Sequence, residues 1–278
     1  MPTFATPGPI AATVQVAGAR VRVTTSDRTD TVVLVEPINE ASRSDVKVAS
    51  KTKVDFAGGQ LSVKTTTPGD KNGSVAITID LPAGSSLAAG LAHSSVQVDG
   101  PVGQCELHLA SGQVQLDRID ALQASIASGE VVIGHIAGRA NIDGGAFTMR
   151  IGEVKGTVGL SSSGGQAWIG HALADLDLSS GSGDFDIDRA DGSITATTAN
   201  GAIRIGRMTH GQAKLMNGSG NIEVGISEGT AASVDVNSER GAVHDFVSPQ
   251  GNADPSGDKV MVHARTRHGD IIIQRAAG

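Results

Sequence analysis

The feature that most constrains this chain is a period of about 18 residues that runs from Val96 to Val224. An anchor column of aliphatic residues recurs at Val98, Leu116, Ile133, Ile151, Ile169, Ile187, Ile205 and Val224, in steps of 18, 17, 18, 18, 18, 18 and 19. The next position holds only Asp or Gly: Asp99, Asp117, Gly134, Gly152, Gly170, Asp188, Gly206 and Gly225. Two residues before the anchor stand Val96, Val114, Val131, Met149, Ala167, Phe185, Ile203 and Ile222, all apolar. Four before it stand Gly112, Gly129, Gly165, Gly183, Gly201 and Gly220, a column interrupted by Ser94 and Phe147. A fixed period of this size marks a repeat architecture.

Within each repeat the apolar residues alternate, as in Phe185-Asp-Ile187 and Ile203-Arg-Ile205. A period of two describes a strand with one face buried and one exposed. Pairs such as Ser182-Gly183 and Asn200-Gly201 precede the strands and mark corners. A second apolar pair follows each anchor: Cys105 and Leu107, Val158 and Leu160, Leu176 and Leu178, Ile194 and Ala196. Each period therefore predicts two short strands and two corners. A lone unit of this size cannot bury its apolar face, but a stack of units can. The expected fold is all-β: a parallel β-solenoid whose coils of about 18 residues rise roughly 4.8 Å each. Crossover chirality favours a right-handed coil. An antiparallel sandwich also gives alternation and regular turns, but it does not require equal spacing.

The expected organisation is one repeat domain over residues 1–278. Residues 1–11, with three Pro, read as a loose lead-in. Residues 12–92 carry alternating runs at irregular spacing, including Val14/Val16, Val21/Val23 and Val46/Val48, and read as an irregular N-terminal β cap. Residues 65–73 form a turn-rich loop. Regular coils occupy 93–227. Residues 228–278 hold further coils, with a mobile loop at 248–258; His268-Gly-Asp-Ile-Ile-Ile273 ends the stack, and Gln274-Arg275 blunts its edge.

Ser74-Val-Ala-Ile-Thr-Ile-Asp-Leu-Pro-Ala-Gly-Ser-Ser-Leu87, followed by the reiterated Ser-Gly-x-(Val/Ile)-x-(Ile/Val), resembles a bacterial β-strand-repeat domain family of unknown function that carries an adhesin label. It is similar also to a related head-domain family of autotransporter adhesins. The resemblance covers Ser74 to Val224. It implies a β-solenoid-like fold and no established catalytic residue.

Composition narrows the function classes. The chain has 37 Gly, five Phe, one Trp and no Tyr, so aliphatic residues must build the core. The net charge is −7 and no basic stripe occurs, which argues against nucleic acid. The one cysteine, Cys105, falls in an inward column and reads as a core residue. No apolar run reaches the ~18 residues of a membrane span. The N-terminus lacks the basic start and apolar core of a secretory signal, which predicts a cytoplasmic protein; an unusual export route would instead place it at the cell surface.

Three constellations bear on chemistry. Gly100, Arg118, His135, Glu153, His171, Arg189 and Arg207 line one corner. His135 and His171 lie two coils apart, roughly 10 Å, too far to share a metal ion, so a solvated ladder is expected. Asp175, Asp177, Asp184, Asp186, Asp188 and Asp191 crowd one region. Paired carboxylates could serve a carbohydrate-cleaving site or calcium, but these divide between two strands and read as an acidic surface. The outward column before the anchors places Arg150, Trp168, Asp186 and Arg204 on successive coils. A lone Trp there, with Arg150 positioned to stack on it, makes this row the candidate contact surface. No cofactor motif occurs. The expected function is a non-enzymatic scaffold or interaction protein with a protein or polysaccharide partner. The alternative is a carbohydrate-binding or carbohydrate-cleaving β-helix that uses the Trp168 and Asp186 face.

Overall fold

The computed structural model describes residues 2–65, 73–247 and 259–276. The expected loop at 65–73 lies largely, and the expected mobile loop at 248–258 wholly, outside them. About three quarters of the described residues are strand, the pairing is mostly parallel, and one helix interrupts it. The period-two pattern does what it must: every anchor residue from Val98 to Val224 is at most 2% exposed. The column two residues earlier is buried as well. The chain divides into two compact units, Met1–Ala137 and Gly138–Gly278.

In the second unit, Ala140–Val154, Val158–Ala172 and Leu176–Ala190 pair in parallel, with Ile151, Ile169 and Ile187 in register. Ile205 and Val224 extend the same column. Val158, Leu176, Ile194 and Ala213 form a second one. Two short strands per period are found only in part. From Ala140 to Ala190 each period is one 15-residue strand that runs on through the position of the expected corner, which is Phe147, Gly165 or Gly183. Further on they separate, as in Ile194–Asn200 and Ile203–Met208.

The corners have a common construction. Gly201 sits at φ +147°, and a Cβ there would fall 2.1 Å from the Gly183 carbonyl oxygen. Gly183 resists a side chain by close approach alone, since its Cβ would meet the Gly165 carbonyl at 2.7 Å. The residue after a corner glycine ties one rung to the next. Asp184 Oδ1 accepts from Ala202 N at 2.8 Å, Asn221 Oδ1 from Asp270 N at 2.9 Å, and Asp270 Oδ1 from Ala242 N at 2.8 Å. Inside the corner runs a polar column, Ser162, Ser180, Thr198, Asn217, Thr266 and Ser238, each in register with the next. Asn217 Nδ2 donates to the carbonyls of Gly201 and Gly220 at 3.0 and 2.9 Å, and Ser238 Oγ to that of Gly269 at 2.8 Å. Carbonyls turned inward at a corner would otherwise lose their partners.

The end of this unit departs from sequence order. Lys259–His268 pairs with Gly211–Ser219 on one side and with Ala231–Arg240 on the other. Ile271–Arg275 likewise lies between Ile222–Ile226 and Val243–Asp245. The expected last rung is thus the penultimate one, and the rung of 231–245 is outermost. The reason is apolar content. Val260, Val262, Ile271 and Ile273 fill the inner place and are buried. Asp245 stands beside Ile273 in the anchor column, where a carboxylate is tolerable only on a rung open to water.

The first unit shows a similar insertion. Ala11–Ala17 pairs in parallel with Gln60–Lys64 and with the start of Ser86–Ile136. Ala19–Ser26 does the same between Val75–Pro82 and residues 95–99. Part of the expected cap therefore belongs to the parallel ladder. The rest covers it antiparallel: Asp30–Pro37 on Val75–Pro82, and Lys53–Ala57 on Gln60–Lys64. The lead-in is not loose, because Thr3–Ala5 pairs with Asp30–Pro37 and Thr6 is buried. Val46 and Val48 are not strand but helix, Arg43–Lys51. Ser42 caps that helix by accepting from Asp45 N, and the Asp45 carboxylate accepts from Asn39 N and Ser74 N. Ser-x-x-Asp is an N-terminal signal that outweighs two alternating valines.

Ile187→Ala should cost about 2 to 5 kcal/mol, as for other buried aliphatic truncations, read by thermal or denaturant unfolding. An unchanged melting temperature would remove the column. Gly201→Val should destabilise more than the exposed Ala202→Val beside it, because only the former drives a side chain into a backbone carbonyl.

Candidate functional site

The expected row exists. Arg150, Trp168, Asp186, Arg204 and Glu223 lie in register on consecutive rungs of the second unit. Side chains in such a column are near neighbours, so opposite charges pair. Arg204 Nη1 donates to Asp186 Oδ1 at 2.9 Å, and its Nε stands 3.9 Å from Glu223 Oε2. Trp168 is half-buried. Its ring runs along its own strand over Gly170: a Cβ at that glycine would meet Trp168 Cη2 at 3.0 Å. The end of the ring thus occupies space that a side chain at position 170 would take. The expected stacking of Arg150 on it does not form among the described residues.

Beside this row is an open groove of about 460 Å³. Gly206 and Gly225 contribute to its wall, with Asp188, Arg189, Arg204, Arg207 and Glu223 around it. The corner ladder is also in place, with Glu153, His171, Arg189 and Arg207 in register. What organises it is Asp191, which the sequence reading leaves among the crowded carboxylates. His171 Nε2 lies 2.7 Å from Asp191 Oδ2, Arg189 Nη2 lies 3.0 Å from the same oxygen, and Thr209 Oγ1 donates to Oδ1 at 2.7 Å. Burial pushes the Asp191 carboxyl up, but the hydrogen bonds from Arg189, His171 and Thr209 outweigh it and hold the group at about 2.

Three more of the six carboxylates are engaged as well. Asp175 Oδ1 accepts from Ser193 N at 2.8 Å, Asp184 ties a corner, and Asp186 pairs with Arg204. Among the described residues no group of three His, Cys, Asp or Glu side chains is placed to hold a metal ion. Cys105 is buried, and burial pushes its thiol up to about 12, the state of an inert core residue. No helix of the described residues is long and apolar enough to cross a membrane.

The family model described as Toastrack DUF4097 matches residues 12–274. The resemblance drawn from Ser74 to Val224 therefore extends over nearly the whole chain. Among solved structures, a "putative adhesin" from Bacteroides fragilis NCTC 9343 is 11% identical, with 98% of this chain and 95% of that chain covered and a TM-score of 0.38. A second "putative adhesin", from Parabacteroides merdae ATCC 43184, is 8% identical over 99% and 95%, with a TM-score of 0.39. A "putative lipid binding protein" from Parabacteroides distasonis ATCC 8503 is 9% identical over 99% and 96%, with a TM-score of 0.40. No curated protein matches the chain.

The depressed Asp191 value carries a pH dependence. A carboxyl held below its ordinary 3.8 stabilises the fold fully above that value, and the contribution is lost as pH falls towards about 2. The difference in melting temperature between the wild type and Asp191→Asn should therefore narrow across that window. A difference that stays constant with pH would remove the role assigned to this carboxylate.

Proposed function

We infer the function from one premise: the chain belongs to the Toastrack DUF4097 family, whose model spans residues 12–274. The reading is a non-enzymatic β-solenoid scaffold of adhesin-like type, which works by presenting a regular outer face to a partner. The parallel offset of 18 residues between Ile151, Ile169, Ile187 and Ile205 supports coils of that length, and crossover chirality favours a right-handed turn. A family match that runs through both compact units supports one repeat domain.

The observation that carries the functional reading is the row Arg150, Trp168, Asp186 and Arg204, in register and turned outward. It joins a half-buried aromatic ring to an ion pair on a ladder of rigid strands. Aromatic and arginine side chains on rigid supports are the usual anchors of protein interfaces, and a flat indole also suits a sugar face. A polysaccharide partner is the second form of the same surface. The carboxylates around it support binding rather than cleavage, because Asp186 is held by Arg204 and Asp184 by a backbone amide.

Trp168→Ala is the test. The partner is recovered by affinity purification from the native host and identified by mass spectrometry. The variant should melt within a few degrees of the wild type and bind that partner at least about tenfold more weakly, as loss of an aromatic anchor does. A variant that melts much lower and binds normally would make Trp168 structural and leave the surface without support.

A further inference from the structure

Among the described residues, the outermost rung of the second unit has one edge without a partner strand. Ala231–Arg240 pairs with Lys259–His268, and Val243–Asp245 pairs with Ile271–Arg275. Among the described residues no strand pairs with the other side of either. An edge of 10 residues, roughly 33 Å long, thus presents a row of backbone donors and acceptors. The first unit covers its outermost parallel strands with antiparallel ones, Asp30–Pro37 and Lys53–Ala57. Two of the usual guards against edge pairing, Pro and Lys, are absent from Ala231–Arg240, whose charges are Asp235, Glu239 and Arg240. Its central charge, Asp235, is held by side chains of the neighbouring strand. Arg265 Nη2 donates to both carboxylate oxygens at 2.8 Å, and His263 Nδ1 lies 2.9 Å from one of them. The same rung opens the core: Val234 and Val236 are half-buried, Val243 is 44% exposed and Phe246 is 63% exposed.

We propose that this edge pairs antiparallel with the same edge of a second copy of the chain, about a two-fold axis at Val236. The occupant follows from the order of side chains along the strand. Centred on Val236, Asp235 faces the second copy's Asn237, and Asn237 faces its Asp235. Ser233 faces Glu239, and Val234 faces Ser238. No like charges meet, and both Asp–Asn pairs can hydrogen-bond across the junction. Centring on Asp235 would set that carboxylate against itself, and centring on Asn237 would set Asp235 against Glu239. An unrelated extended peptide would gain the backbone bonds but not this doubled match. A two-fold contact of one patch with itself closes, so the product is a dimer and not a fibre. One strand edge with a few apolar side chains offers less than the ~800 Å² per partner of a standard stable interface, so the dimer is weak and concentration-dependent.

Sedimentation of the full chain, at concentrations up to about 1 mM, tests this. A reversible monomer–dimer equilibrium is expected. Asn237→Asp sets two like-charge pairs across the axis and should weaken dimerisation roughly tenfold. Asn237→Arg faces Asp235 and should tighten it. Both change an exposed side chain and leave the melting temperature in place. Val236→Cys should cross-link to its own copy on mild oxidation, whereas Ser233→Cys should not; the buried Cys105 does not compete. If Val236→Cys fails to fold, the two substitutions at Asn237 decide the matter alone. A protein that stays monomeric throughout the range has its edge covered some other way, and the proposal falls. It falls too if dimerisation ignores the charge at position 237, or if Ser233→Cys cross-links as readily as Val236→Cys.

Discussion

The parallel register of 18 or 19 residues between successive rungs from Ile151 to Val224 is what the rest of the second unit depends on. A single rung has a few aliphatic side chains and no means of covering them. Stacking places Ile151, Ile169, Ile187 and Ile205 on one another and removes them from water together. The same register sets the outer columns, so an ion pair such as Asp186–Arg204 follows from the spacing that builds the core. It also lets a glycine in one rung lie against the carbonyl of the last. Surface and core therefore change together: a one-residue slip would turn every apolar side chain outward and scatter the outer rows.

Much of this was legible before any coordinates. The anchor column, the column before it and the inward place of Cys105 follow from period two inside a fixed longer period, and all are buried. The outward row at Trp168 was legible for the same reason. What escaped was information that a period does not carry. The helix Arg43–Lys51 is announced by Ser42 and Asp45, a local capping signal lost among short alternating runs. The insertion of Lys259–Arg275 beneath the rung of 231–245 is a choice between two similar strand pairs. One clue was available: Asp245 in an anchor position, a residue that an inner rung could not accept.

The candidate site was legible as a row but not as a set of contacts. Periodicity put Arg150 beside Trp168, yet the ring lies over Gly170, because rotamer choice depends on the space a neighbour leaves. Asp191 was counted as one carboxylate among six. It is instead the common partner of His171, Arg189 and Thr209, which stand on three rungs. The Asx links at the corners and the inner column through Thr198 and Asn217 were missed for a related reason. Their residue types vary from rung to rung, and only the direction of the hydrogen bond is shared.

The inserted strands bear on how the chain is made. A ribosome delivers residues 231–245 before 259–275, yet the later segment lies beneath the earlier one in the ladder. The rung of 231–245 therefore cannot dock in its final place until residues 259–275 have also been made. Removal of residues 259–275 would not peel off an outer layer. It would withdraw the inner layer, with Val262, Ile271 and Ile273, and strand the outermost rung without a floor.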